Sequence, residues 1–138
     1  MRVWRGLNLL GVSNVFMETH AIDARNKVLG RLATEVACLL RGKNLPDFDP
    51  RRGRMTTITV YNTDYIRVTG NKRRAKVYYR HSGYHGGLSA EGFGDLMERD
   101  SRQVLYRAVA GMLPKNNSRK RYLRGLMLVK KDLSGRDK

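Results

Sequence analysis

The stretch from Tyr65 to Ala90 combines six Lys or Arg with two His and four Tyr, and its sequence contains no Asp or Glu. Lys and Arg neutralise phosphates, Tyr stacks on flat bases, and Gly lets a backbone approach a sugar-phosphate chain closely. This mixture indicates a polyanionic ligand with bases and disfavours a small substrate. Arg73 and Arg74 lie near the middle of the stretch.

Two features of this stretch suggest other chemistry. His81 and His85 are four residues apart, a spacing that holds metal ions on helices. The serine and glycines around them disfavour a helix, and no cluster of Cys or carboxylates is close in sequence, so we expect no metal. Thr69-Gly70-Asn71-Lys72 lacks the full phosphate-loop pattern. We interpret it as a turn that offers N–H groups and a lysine to an RNA phosphate.

Catalysis has little support in the sequence. Ser82, His81 and Asp95 could be drawn as a triad, but Ser82 is not in a nucleophile elbow. We therefore predict no enzyme, no cofactor and no small-molecule substrate. Two functions are kept as alternatives to a structural RNA-binding role. One is a free RNA-binding regulator or chaperone. The other is a small enzyme acting on a nucleotide or RNA, with Lys72 and either His81 or His85 near the phosphate.

Composition supports a nucleic-acid partner. The 138 residues suffice for one domain, and a formal net charge of +16 calls for a polyanion. No apolar run approaches the ~20 residues that span a bilayer, and the basic residues are too widely spread for a membrane-surface helix, so we expect no membrane partner. Cys38, the single cysteine, is expected to be a buried apolar residue. The first residues resemble a weak targeting peptide, but a plain N-terminal extension is preferred.

Periodicity and breakers predict the elements that position these residues. Two helices are predicted, over 28–40 with Asn26 as N-cap and Gly42 after its end, and over 104–113 with Asp100 or Ser101 as cap. Strands are predicted at 20–24, 56–62, 65–69, 76–81 and 126–129, with a glycine-rich loop at 82–87 and a short basic helix at 117–124. This order is typical of a small α/β domain whose helices cover a few-stranded sheet.

Three segments together resemble the large-subunit ribosomal protein L13 family in its bacterial form. The first segment comprises residues 24–35 and 40–43, the second comprises 68–72 and 76–87, and the third is 111–116. They occur in the order and at the spacing found in the family, and the whole resemblance extends from about residue 19 to residue 128. The resemblance implies a three-layer α/β/α domain with a small, mainly parallel sheet over 19–129, flanked by an N-terminal extension (1–18) and a basic C-terminal tail (130–138). It implies binding to large-subunit rRNA of the 23S type early in assembly, beside neighbouring large-subunit proteins. We expect the protein to be located in the cytoplasm, in the large ribosomal subunit, and we favour a bacterial ribosome over an organellar one.

The resemblance also implies which residues contact RNA. Family members often carry a basic residue where Ala110 stands, so a contact is not expected there. The predicted RNA-binding residues are Lys27, Arg31, Arg41, Lys43, Lys72, Arg73, Arg74, Lys76, Arg80, His81, Tyr84, His85, Lys115, Arg119, Lys120, Arg121 and Arg124.

Overall fold

A computed structural model of the protein describes residues 19–49 and 56–131. The strands are β1 (Thr19–Asp23), β2 (Thr57–Tyr61), β3 (Val77–His81), β4 (Leu88–Gly92) and β5 (Leu126–Leu128), and the helices are α1 (Leu29–Arg41), α2 (Lys72–Ala75), α3 (Phe93–Met112) and α4 (Arg119–Arg124). A 3-10 turn, Thr63–Tyr65, follows β2. The predicted N-terminal extension and most of the predicted tail lie outside the described residues.

Three strands form a parallel sheet in the order β1-β2-β5. The central strand, β2, buries Ile58 and Val60 completely, while the residues on either side of them are half-buried. This alternation places one apolar face of the strand on the core, into which α1 and α3 also pack their apolar residues. The prediction of a single α/β domain with a small, mainly parallel sheet is confirmed.

Helix α1 follows from a continuous apolar stripe. Its buried residues recur at helical spacing and face α3 and the sheet: Leu29, Leu32, Ala33, Val36, Ala37 and Leu40. The predicted end is confirmed, because Gly42 has a φ of 70° and the N–H groups of Gly42 and Lys43 donate to the carbonyls of Leu39 and Cys38. The predicted N-cap is wrong, since the helix begins after Val28 and Asn26 occupies a left-handed turn position at φ 60°.

The predicted strand at 65–69 is wrong. Asn62 has a φ of 60°, and its side-chain amide donates to Asp23 at 2.9 Å, so the chain leaves β2 through a 3-10 turn. Of the five residues predicted as a strand, only Arg67 forms a β-bridge, an isolated parallel bridge with Val28. The predicted strands at 20–24, 56–62, 76–81 and 126–129 are confirmed within one or two residues as β1, β2, β3 and β5, and the short basic helix is confirmed as α4.

Helix α3 begins at Phe93, well before the predicted start, and is kinked at Asp100 (φ −153°, ψ 92°). The Asp100 carboxylate accepts the backbone N–H of Arg102 at 3.2 Å, so Asp100 caps the second half of the helix as predicted. Ser101 is fully buried, and its hydroxyl forms hydrogen bonds with Thr63 at 2.8 Å and Asp64 at 2.5 Å, which joins the kink to the 3-10 turn.

None of the helices described is long and apolar enough to cross a membrane.

We expect Asp100→Ala to lower the free energy of unfolding by about 0.5–2 kcal/mol, because the N-cap is lost at the kink. Hydrogen bonds from Arg102 hold the pKa of the Asp100 carboxyl below its ordinary value. A carboxyl with a lowered folded pKa stabilises the fold above its unfolded pKa of about 4 and loses that contribution as pH falls further. Urea unfolding should therefore show a deficit at pH 7 that shrinks below pH 4.

The matched control is Glu98→Ala. Glu98 is an exposed carboxylate in the same helix, 3.7 Å from Arg73, and its loss should change stability by less than about 0.5 kcal/mol. An Asp100→Ala deficit no larger than that of the control at pH 7 would remove the capping role.

Candidate nucleic-acid interface

The second half of the acid-free stretch forms most of an exposed two-stranded ribbon. Strands β3 and β4 pair antiparallel, from Val77 opposite Gly92 to His81 opposite Leu88. The side chains of Tyr79 and Tyr84 are 69% and 80% exposed, which leaves two aromatic rings open to a partner. Strand β4 was not predicted from the sequence.

The loop between β3 and β4 is held by its own backbone. The Ser82 and Gly87 N–H groups donate to the Gly87 and Tyr84 carbonyls, both at 3.0 Å. Gly83 adopts a φ of 92°, a conformation that disfavours other residues, and its N–H donates to Nδ1 of His81 at 2.9 Å. The loop predicted at 82–87 is confirmed, and it presents Tyr84 outward.

Tyr78 anchors this ribbon to the domain. Its ring stacks on the buried Phe93 with centroids 6.2 Å apart, and the Arg107 guanidinium lies 4.8 Å from the Tyr78 centroid. Burial raises the pKa of the Tyr78 hydroxyl, against the opposing effect of the Arg107 charge. Tyr78 and its neighbour Tyr79 therefore face opposite ways, as predicted for consecutive strand residues, and Tyr79 is the one left exposed.

A charged contact reinforces this anchor. Glu91 in β4 lies 2.5 Å from Arg99 and 3.6 Å from Arg107, both in α3. Sequence reasoning missed Arg107, since it lies outside the acid-free stretch and reaches the ribbon only in the folded domain, through Tyr78 in β3 and Glu91 in β4. One sequence signal could have indicated Arg107: it lies on the same predicted helix as the Gly111-Met112-Leu113-Pro114 segment and about one turn before it.

Helix α2 displays three consecutive cations next to the ribbon. The Gly70-Asn71 turn, predicted from the sequence, leads into Lys72, Arg73 and Arg74, which are all exposed. Arg73 lies 3.7 Å from Glu98. Within residues 19–49 and 56–131, no carboxylate oxygen is within 4 Å of Lys72, Arg74 or Arg80. These charges are thus available to an external anion.

An open cleft of about 680 Å³ lies where α1, α2 and α3 meet. Residues from all three segments that carry the family resemblance line it: Val28, Leu29, Gly30, Val68, Thr69, Asn71, Lys72, Lys76, Gly111 and Met112. Arg107 supplies a third cation, and Ala75, Phe93 and Ala108 complete the lining. Segments distant in sequence therefore converge on one surface feature.

The remaining predicted contacts are distributed around the domain. Lys27 is paired with Glu35 at 3.1 Å, and the Arg41 guanidinium lies 5.9 Å from the Phe48 ring centroid. Arg119 is half-buried and donates to the Ala110 carbonyl, which ties α4 to α3. The others in this group are exposed: Arg31, Lys43, Lys115, Lys120, Arg121 and Arg124. The predicted residues thus do not form one cluster.

A small α/β domain that displays unpaired cations beside exposed aromatic rings has the features of a nucleic-acid-binding protein. Comparison with known proteins narrows this class. Residues 17–132 match the family described as Ribosomal protein L13. The chain belongs to this family, as the sequence resemblance predicted, and the family is structural and not enzymatic.

Three similar proteins are bacterial, and each is named Large ribosomal subunit protein uL13. The one from Francisella tularensis subsp. holarctica is 47% identical over 103 residues, which cover 75% of this chain and 72% of the relative. The one from Lawsonia intracellularis is 52% identical over 95 residues, covering 69% and 66%. The one from Syntrophus aciditrophicus is 46% identical over 114 residues, covering 83% and 80%.

Proposed function

We propose that the protein is a structural component of the large ribosomal subunit that binds large-subunit rRNA of the 23S type. In this proposal it acts early in subunit assembly, beside neighbouring large-subunit proteins, in the bacterial cytoplasm. The observation that carries the proposal is the set of exposed cations on α2 and β3 that have no carboxylate partner in the described chain. Membership of a ribosomal protein family supplies the biological setting.

The arrangement favours RNA recognised by shape over sequence-specific duplex reading. The major groove of an RNA helix is too narrow for side chains, so proteins read phosphates, 2′-hydroxyls and unpaired bases. Cations on α2 suit phosphates, and Tyr79 and Tyr84 offer faces for stacking. The ribbon itself also offers both kinds of group, because Arg80 is adjacent to Tyr79 in β3.

A role in assembly is supported by how the basic residues are spread. Exposed cations lie on α1, on α2, on the ribbon and on α4, and these elements belong to one folded domain. A rigid domain with several basic surfaces can hold several RNA segments in fixed relative positions. That function requires binding and stability, and it requires no catalytic group.

A salt titration tests the electrostatic part of the proposal. For about six neutralised phosphates, log K for a large-subunit rRNA fragment should fall against log salt with a slope of roughly −4 to −5. A small-subunit rRNA fragment of equal length serves as the specificity control and should bind more weakly at each salt concentration. Affinity that does not change with salt, or equal affinity for the two fragments, would contradict the proposal.

A further inference from the structure

We infer that the cleft between α1, α2 and α3 binds a single unpaired nucleotide of the RNA partner. The inference rests on the proposed RNA-binding function and assigns a specific task to one part of the surface. The cleft volume of about 680 Å³ lies within the range of about 300–1,000 Å³ that is typical of ligand sites.

The lining of the cleft combines two chemical characters. Val28, Leu29, Val68 and Met112 supply apolar surface. The three charged lining residues, Lys72, Lys76 and Arg107, are all cations, and the lining contains no Asp or Glu. A nucleotide has the same two characters, because an apolar-faced base is attached to an anionic phosphate.

The other simple occupants match only half of this lining. A free phosphate would make no favourable contact with the apolar surface, and an apolar side chain of a neighbouring protein would make none with the cations. The nucleotide must be unpaired, because a base stacked inside an RNA helix cannot present its face to a cleft. Lys72 is the first residue of α2 and Lys76 follows its last residue, and both line the cleft, so an RNA backbone bound along α2 would lie next to the cleft.

Two helical glycines, Gly30 and Gly111, line the cleft. A Cβ added at either position would meet no heavy atom within 4 Å apart from its chain neighbours and the nearby backbone of its own helix. There is therefore open space for a side chain at Gly111, and replacing glycine within a helix also favours helix formation. This makes it possible to narrow the cleft while every cation is retained.

The test compares Gly111→Leu, which adds a bulky side chain to the cleft wall, with Gly111→Ala, which adds a single methyl group. Both full-length variants bind a protein-free transcript of large-subunit rRNA across a salt series, with circular dichroism to confirm folding. Gly111→Leu should bind about tenfold more weakly than wild type, roughly the loss of one stacked base, with an unchanged salt slope. Gly111→Ala should lose less affinity than Gly111→Leu, because it adds only one methyl group to the cleft wall.

Each other result overturns the inference. If wild type binds the transcript with the expected salt slope and Gly111→Leu binds equally well, RNA binding stands and the cleft has no nucleotide. If Gly111→Leu binds the transcript normally but enters reconstituted subunits poorly, the cleft holds a protein side chain. If wild type shows no salt-dependent preference for this transcript, the proposed function fails, and the inference that rests on it fails too.

Discussion

The double variant Arg73→Ala/Arg74→Ala is expected to bind a large-subunit rRNA fragment about a hundredfold more weakly than wild type. A hydrogen bond to a charged group contributes at least about 1.5 kcal/mol, and two such contacts account for that loss. Each lost phosphate contact should also lower the salt slope by about 0.7–0.9. The measurement is a salt titration of both proteins under matched conditions.

The fold should tolerate this change. Both arginines are exposed on α2, and the ion pair of Arg73 with Glu98 is 3.7 Å long between side chains that are 69% and 74% exposed. Exposed pairs of this kind contribute about 0–1 kcal/mol, and alanine favours a helix. Unfolding in urea should therefore resemble wild type, which separates a binding defect from a folding defect.

The matched control is Arg99→Ala/Lys130→Ala. It also removes two positive charges, but Arg99 lies 2.5 Å from Glu91 and Lys130 lies 3.9 Å from Asp100. Both charges of the control have carboxylate partners, whereas Arg74 in the test variant has none among the described residues. The control should therefore change RNA affinity much less. Equal losses in the two double variants would show that net charge alone controls binding and would contradict a specific contact at α2.

Elements whose stability comes from their own sequence pattern were predicted correctly. Helix α1 has an apolar stripe that any helix of this sequence would bury, and Gly42 ends it through a local backbone motif. Strand β2 is rich in β-branched residues and is central in its sheet. Short-range chemistry decides such elements, so one sequence suffices to predict them.

Elements that depend on distant partners were missed or placed wrongly. Strand β4 has the sequence LSAEG, which carries little strand propensity, and it forms because β3 supplies the opposite edge. The first half of α3 contains Gly94 and ends at the Asp100 kink, so its periodicity is broken. Contacts of Phe93 with Tyr78 and of Arg99 with Glu91 hold it in place instead.

The candidate interface was predictable in composition but not in shape. A run of residues without acids could be recognised directly, which identified the α2 cations and the exposed tyrosines. The cleft could not be recognised, because its walls come from three segments whose proximity is set by the packing of α1 on α3. Arg107 belongs to the interface through its contacts with Tyr78 and Glu91 of the ribbon.

Phe93→Ala is expected to lower the free energy of unfolding by about 3–5 kcal/mol, the usual cost of removing a large buried aromatic side chain. Phe93 is 1% exposed and is the first residue of α3. Its ring contacts Tyr78, its N–H donates to the Lys76 carbonyl at 2.8 Å, and it lines the cleft. Urea unfolding monitored by circular dichroism measures the loss.

The control for this variant is Leu88→Ala. Leu88 lies in β4 of the same ribbon but is 62% exposed, so its truncation should cost less than about 0.5 kcal/mol. If Phe93→Ala is too unstable to study, Phe93→Leu retains part of the buried surface and should remain folded at a smaller cost. Similar losses for Phe93→Ala and Leu88→Ala would show that Phe93 is not a core residue.

Hydrogen exchange distinguishes a general loss of stability from release of the ribbon. A two-stranded hairpin is marginal on its own in water, so β3 and β4 rely on the contact between Tyr78 and Phe93. In Phe93→Leu the amides of β3 and β4 should lose more protection than those of α1 and β2, because the ribbon can open without the core. Uniform loss across all four elements would instead make the ribbon part of a single cooperative unit. RNA affinity should follow ribbon protection, since Tyr79 and Arg80 are positioned only while β3 stays paired with β4.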